Sequence, residues 1–123
     1  DFGSGLAEGE NSGTVNATST INNIGNSPLN SNISGTDLEG LSYVDSIDVN
    51  WIKWATSTFD YELGTNILQN SNQLVDIATP RPTTASTDVY DEVFWGIGIP
   101  FIITPDTYNG NNNFIAVIDE SDW

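Results

Sequence analysis

The chain has 123 residues, with 17 carboxylates against two cationic side chains, Lys53 and Arg81, and it contains neither His nor Cys. Its formal charge of −15 comes from missing bases rather than surplus acids, and argues against nucleic acid and anionic membrane surfaces as partners. The lack of Cys and His excludes disulfides, thiolate sites and the usual zinc and iron ligands.

Spread over a sphere of roughly 18 Å radius, the charge repels itself by roughly 26 kcal/mol in pure water and roughly 8 kcal/mol at physiological salt. That penalty is comparable with the stability of an ordinary domain, so the chain gains from divalent cations, from salt, or from neighbours that supply counter-charge. With 37% hydrophobic residues it fills one core rather than two, which predicts a single domain over residues 1–123. The longest apolar run, residues 94–103, is broken by Gly96, Gly98 and Pro100. It is too short to span a bilayer, and no membrane insertion is expected. No leader-like segment opens the sequence, so a mature chain or a fragment is expected.

Residues 1–13 are polar and Gly-rich apart from Phe2 and Leu6. They read either as a first strand or as an arm that donates Phe2 and Leu6 to the core of a neighbouring subunit. Residues 14–22 alternate Val15, Ala17 and Ser19 with small polar residues, which predicts a strand ending before the turn signal Gly25, Asn26, Ser27 and Pro28. Residues 29–33 read as its hairpin partner and residues 35–40 as a loop. Residues 46–56 place Ile47, Val49, Trp51, Lys53 and Ala55 on one face, as a central strand would. A short strand is predicted over 59–63, a polar connection over 64–72, and a strand over 74–79. Pro80 and Pro82 make 79–87 a stiff, exposed crossover. Residues 89–99 group Val89, Asp91, Val93, Trp95, Ile97 and Ile99 on one face, with Tyr90, Phe94, Gly96 and Gly98 opposite. The last strand is 113–118. About seven strands separated by turn signals predict an all-β, immunoglobulin-like β-sandwich.

Several of these residues also carry a family resemblance. The opening Asp1-Phe2-Gly3, Gly9-Glu10, the run from Thr20 to Asn26 with Pro28 and Leu29, and the run from Asn32 to Leu38 resemble the start of Ig-like domains in large secreted surface proteins of archaea and some bacteria. Pro80 to Pro82, Val93 to Pro100, and Thr107 to Gly110 ahead of Asn113 and Phe114 are similar to that family's Trp-rich strand, Pro turn and Tyr-x-Gly hairpin. Phe101 to Thr104 stand where such domains carry a Gly-rich turn. A weaker likeness runs to secreted fibre-forming subunits of the TasA and archaeal bundling-pilus kind. The resemblance implies an extracellular location and a structural role, through motifs that are turn architecture rather than chemistry.

Candidate sites are few. Asn16-Ala17-Thr18 and Asn32-Ile33-Ser34 are glycosylation sequons, and a sugar on Asn16 or Asn32 would suit a surface protein. Oxygen-rich clusters at Asp45 with Asp48, at Asp88 with Asp91 and Glu92, and at Asp119 with Glu120 and Asp122 are candidate Ca²⁺ sites, although the Asp-x-Asp-x-Asp-Gly loop is absent. Trp54 and Trp123 are candidate sugar-stacking faces, whereas Trp51 and Trp95 read as core. Asp60 with Glu62, or Asp91 with Glu92, would be the pairs for glycoside hydrolysis, but no His base, nucleophile elbow or phosphate loop accompanies them, and no enzyme is expected. Lys53 is a weak candidate for an intramolecular isopeptide bond. With few Lys residues to blunt its strand edges, a sandwich of this kind can accept a neighbour's strand. The expected role is therefore a secreted filament, pilus-like fibre or surface-layer subunit that self-associates by edge pairing or donor-strand exchange. The alternative is a tethered module of a large adhesin, touching glycans or neighbouring surface proteins.

Overall fold

The computed structural model describes residues 5–84 and 89–121. Phe2, Asp88, Asp122 and Trp123 lie outside them. Among the described residues, nine strands run in chain order as β1 (Ala17–Asn22), β2 (Leu29–Gly35), β3 (Leu38–Gly40), β4 (Ser46–Ile47), β5 (Ile52–Ala55), β6 (Gln73–Thr79), β7 (Tyr90–Ile97), β8 (Tyr108–Asn109) and β9 (Asn112–Ile118). All pairing is antiparallel, in three sheets ordered β1-β7-β5, β6-β2-β9 and β4-β3-β8. The all-β expectation holds. The strand count exceeds seven because three short strands, β3, β4 and β8, form the third sheet.

The first two sheets enclose the core. Val93, Trp95, Ile97, Ile52 and Trp54 from one meet Ile33, Val75 and Ile77 from the other, with Leu68 and Val49 completing the cluster. β7 is central, as its alternation requires: Val93, Trp95 and Ile97 are buried inward. On its other face, Gly96 and Gly98 let Tyr61 lie against the backbone. A Cβ on Gly98 would fall 2.6 Å from the Tyr61 hydroxyl oxygen. That hydroxyl donates to the Trp51 carbonyl, and the Lys53 ammonium donates to the Tyr61 carbonyl from above the ring. The predicted strand over 59–63 is instead this packed turn, and Lys53 is engaged by a carbonyl and a ring rather than by an isopeptide partner.

Three further expectations are corrected. β2 is not the hairpin partner of β1; β1 pairs with β7 while β2 pairs with β6 and β9. Asn23 explains why the chain changes sheet between them. It is buried, its amide donates to the carbonyls of Ser27 and Pro80, and its oxygen accepts from the Gly25 N–H, so the turn residues build an arch rather than a tight hairpin. Residues 46–56 do not form one strand, because a 3-10 turn over Val49–Trp51 interrupts them, with the Asp48 carboxylate capping the Asn50 N–H. The turn inverts the strand's parity. Ile47 before it and Val49 at its start are inward, whereas Ile52 and Trp54 are inward after it; Trp51 is 39% exposed and Trp54 only 8%. Finally, residues 38–40 within the predicted 35–40 loop pair as β3 with β4 and β8.

Candidate functional site

The two long sides of the paired sheets are built differently. On the side of β5 and β6, residues 66–69 run along both sheets. The Trp54 N–H donates to the Asn66 carbonyl, Leu68 N–H to the Ile52 carbonyl, and Gly35 N–H to the Gln69 carbonyl. Leu68 is wholly buried between them. β6 is also guarded as an edge. Its pairing with β2 shifts register after Ser31↔Val75, Ala78 sits at φ 47° with its N–H on the Asn30 side chain, Asp76 points outward, and Pro80 follows. Bulges, charges and Pro are the usual means of blocking strand addition.

The opposite side, formed by β1 and β9, has none of these among the described residues. β9 pairs with β2 in unbroken register from Leu29↔Ile118 to Gly35↔Asn112. It contains no Pro and no charge, and it is apolar on both faces. Phe114, Ala116 and Ile118 share the inward face with Ile33, Ser31 and Leu29, yet Phe114 is 39% and Ile118 57% exposed; Ile115, on the outward face, is 48% exposed. Only part of the Phe114 ring is covered, edge-on against Trp95 at 5.9 Å between centroids. The Trp95 indole N–H donates to the Ser19 hydroxyl of β1, which places β1 and β9 at the same end of the Trp95 side chain.

The register also fixes which backbone groups face outward. Thr36 N–H donates to the Asn111 carbonyl, and Asp119 N–H to the Pro28 carbonyl, so these are hydrogen-bonded pairs at either end of the ladder. Antiparallel ladders alternate such pairs with unbonded ones. Asn113, Ile115 and Val117 therefore turn their N–H and C=O groups toward β2, and Asn112, Phe114, Ala116 and Ile118 turn theirs away. Nothing among the described residues accepts or donates to that outer row.

Charge distribution singles out the same side. Residues 11–36 and 107–118 contain no Asp, Glu, Lys or Arg. These two stretches supply β1, β2 and β9, so a molecule of charge −15 presents an uncharged, partly apolar flank.

The other predicted positions serve mostly as local fasteners. The Asp45 carboxylate accepts the Thr104 N–H, and this bond holds its pKa below the ordinary aspartate range. Asp106 accepts the N–H groups of Ser42, Tyr43 and Thr107, and its pKa is lowered by these, Ser42 first. Asp48 caps the 3-10 turn, Asp91 lies 3.5 Å from the Thr79 hydroxyl, and Asp119 accepts from Ser121 backbone and hydroxyl. Glu92 sits in β7 across from Thr20. Among the described residues no three acidic side chains converge as a cation site. The Asn16 side chain clamps the Phe59 backbone in both directions, its amide donating to the carbonyl and its oxygen accepting the N–H, while Asn32 lies on the outward face of β2 between Leu74 and Ile115. Leu6 packs against the chain's own core, and residues 9–12 bond to the end of β7 and beyond, through Gly9 N–H to Ile99, Ile99 N–H to Glu10 and Ser12 N–H to Ile97. Trp54 is buried, with no partner for its indole N–H among the described residues, so its face is not open to a sugar.

A cleft of about 1120 Å³ opens between the third sheet and the foot of the core, floored by Ile47, Ile52, Ile97 and Ile99 and rimmed by Leu6 and Tyr108. Its charged lining groups, Glu8 and Asp106, are consumed in accepting the Ile102 N–H and in holding the 42–43 loop respectively. Sequence reasoning identified β9 but not its exposure; the signal available was a strand apolar at both parities inside an uncharged stretch. Comparison with known proteins finds no family model, no curated protein and no solved structure that matches the chain. The fold defines the class no more narrowly than an all-β protein of facing antiparallel sheets with one side open.

Proposed function

We propose that this chain is an extracellular structural module of the Ig-like kind, a subunit of a surface filament or layer that associates by strand-edge pairing and carries out no chemistry. One observation carries the reading: among the described residues β9 offers an unguarded, uncharged edge with its inward face only partly covered, whereas β6, the other edge of the same sheet, is bulged, carries Asp76 and is followed by Pro80. Edges left in this state invite another strand. The strong acidity supports the reading too, because it disfavours unspecific contacts and confines close approach to the uncharged flank.

Donor-strand exchange through the N-terminal arm is the less favoured route, since Leu6 and residues 9–12 are used at home. The same observation favours the second reading, a tethered bead of a longer surface protein. Electron microscopy and sedimentation of the purified chain, with and without chelator, test the proposal. Assembly that disappears in Ala116→Pro supports edge pairing. A chain that stays monomeric at all concentrations and salts supports the tethered bead.

A further inference from the structure

We infer that the partner of β9 is β9 of a second copy, paired antiparallel about a two-fold axis through Ile115; this rests on the edge-pairing reading above. The outward row of β9 consists of Asn112, Phe114, Ala116 and Ile118, and an antiparallel pair bonds only residues from two such rows. With Ile115 opposite its own copy, Asn112 meets Ile118 and Phe114 meets Ala116 in both directions. All four outward residues of each strand then find partners, in four pairs of two bonds each. Sliding the pairing by two residues either way leaves the end residue of the row unpaired on both copies.

The side chains agree with that register. Phe114 of each copy comes to lie beside Ala116 of the other, a large group against a small one, and the half-exposed Ile115 side chains meet across an unbonded pair, where side chains approach most closely. No charge opposes the approach, because β1, β2 and β9 carry none. The two-fold arrangement joins the sheets into one of order β6-β2-β9-β9-β2-β6, with the guarded β6 at both outer edges. β1, the outer strand of the facing sheet among the described residues, lies on the flank that the contact occupies. The contact is therefore self-closing: a filament or layer of this protein would be built from dimers joined through other surfaces. One strand per copy is a small interface, so the dimer is reversible and concentration-dependent.

The absence of native Cys makes the test direct. Single cysteines are placed in the full chain at Ile115, at Val117 and at Asn113, and each variant is oxidised mildly near the concentration at which the parent sediments as more than a monomer. Ile115→Cys should cross-link to itself about tenfold faster than Val117→Cys or Asn113→Cys alone, because only the axial pair meets disulfide geometry. A mixture of Val117→Cys and Asn113→Cys should cross-link to each other. Equal rates for all three single variants, or cross-linking led by Val117→Cys, would overturn the register while leaving edge pairing intact. A parent chain that sediments as a monomer throughout would overturn both.

Discussion

The β5/β6 side and the β1/β9 side solve the same problem in opposite ways. Both are places where two sheets end and a core would meet water. On the first, residues 66–69 of the connection between β5 and β6 include Leu68, which fills the gap, and backbone bonds from Trp54, Leu68 and Gly35 fasten the segment to both sheets. On the second, the described residues supply only the rims, and Phe114 and Ile118 face inward only partly covered. The difference shows that the open side is not simply what a small domain cannot close. The same chain had the means, used them on one flank, and left the other apolar and free of charge.

The largest expected effect tests the closed side. Leu68→Ala should destabilise the protein by about 3–5 kcal/mol, since a wholly buried Leu leaves a cavity, whereas Phe114→Ala should cost only about 1–2 kcal/mol despite removing a bigger group, because much of that ring is already in water. Denaturant titration of both variants checks the ranking; the reverse order would mean that the open side is closed in solution.

Next in size is a contrast between adjacent positions. Ile115→Pro removes an N–H bonded to β2 and should cost about 3 kcal/mol of monomer stability, while Ala116→Pro removes an outward N–H and should cost about 1 kcal/mol or less. Thermal unfolding separates them. Sedimentation should show that Ala116→Pro nonetheless abolishes association.

A smaller effect falls on the hinge between the two rims. Ser19→Ala strips the Trp95 indole of its acceptor and should cost about 1–3 kcal/mol, the usual penalty for a buried donor left unpaired. Trp54→Phe deletes an indole N–H that has no partner among the described residues, so its loss of volume should be partly offset. Measured by denaturant titration, a Trp54→Phe cost attributable to a lost hydrogen bond would contradict the packing described for β5.

The mildest effect comes from pH. Asp45 and Asp106 have folded pKa values below their unfolded ones, lowered by the Thr104 and Ser42 N–H groups respectively, so their contribution is present above about pH 4 and is lost as pH falls through the folded values. Amide exchange at Ser42 and Thr104 should accelerate there. Association on the uncharged flank should strengthen on adding salt, which screens the like charge. Association that weakens with salt would break the comparison, because it would require charged groups at the contact.

Alternation of Val93, Trp95 and Ile97, with Gly96 and Gly98 on the other face, was enough to predict β7 as a central strand, since a strand buried on both sides needs large groups inward and room outward. β6 and β9 were legible for similar reasons. The parity of residues 46–56 was not, because one capped turn at Asp48 shifts every later side chain to the opposite face, and a period-2 reading has no means of counting a turn inside it. That shift exchanged the roles of Trp51 and Trp54. The candidate site was legible only in part: the apolar strand 113–118 and the missing bases stood in the sequence, but not the edge they would occupy.

By itself, then, the sequence determined an all-β core without disulfides, the central strand, and the charge-free stretches 11–36 and 107–118, because burial pattern and charge are local properties of the chain. Tertiary structure alone decided which strands became neighbours. Asn23 sent β1 and β2 to different sheets, and Leu68 closed one flank while β1 and β9 framed the other. Strand order depends on where distant segments find hydrogen bonds and cover for their apolar faces, and those partners lie tens of residues away, beyond the reach of any local pattern.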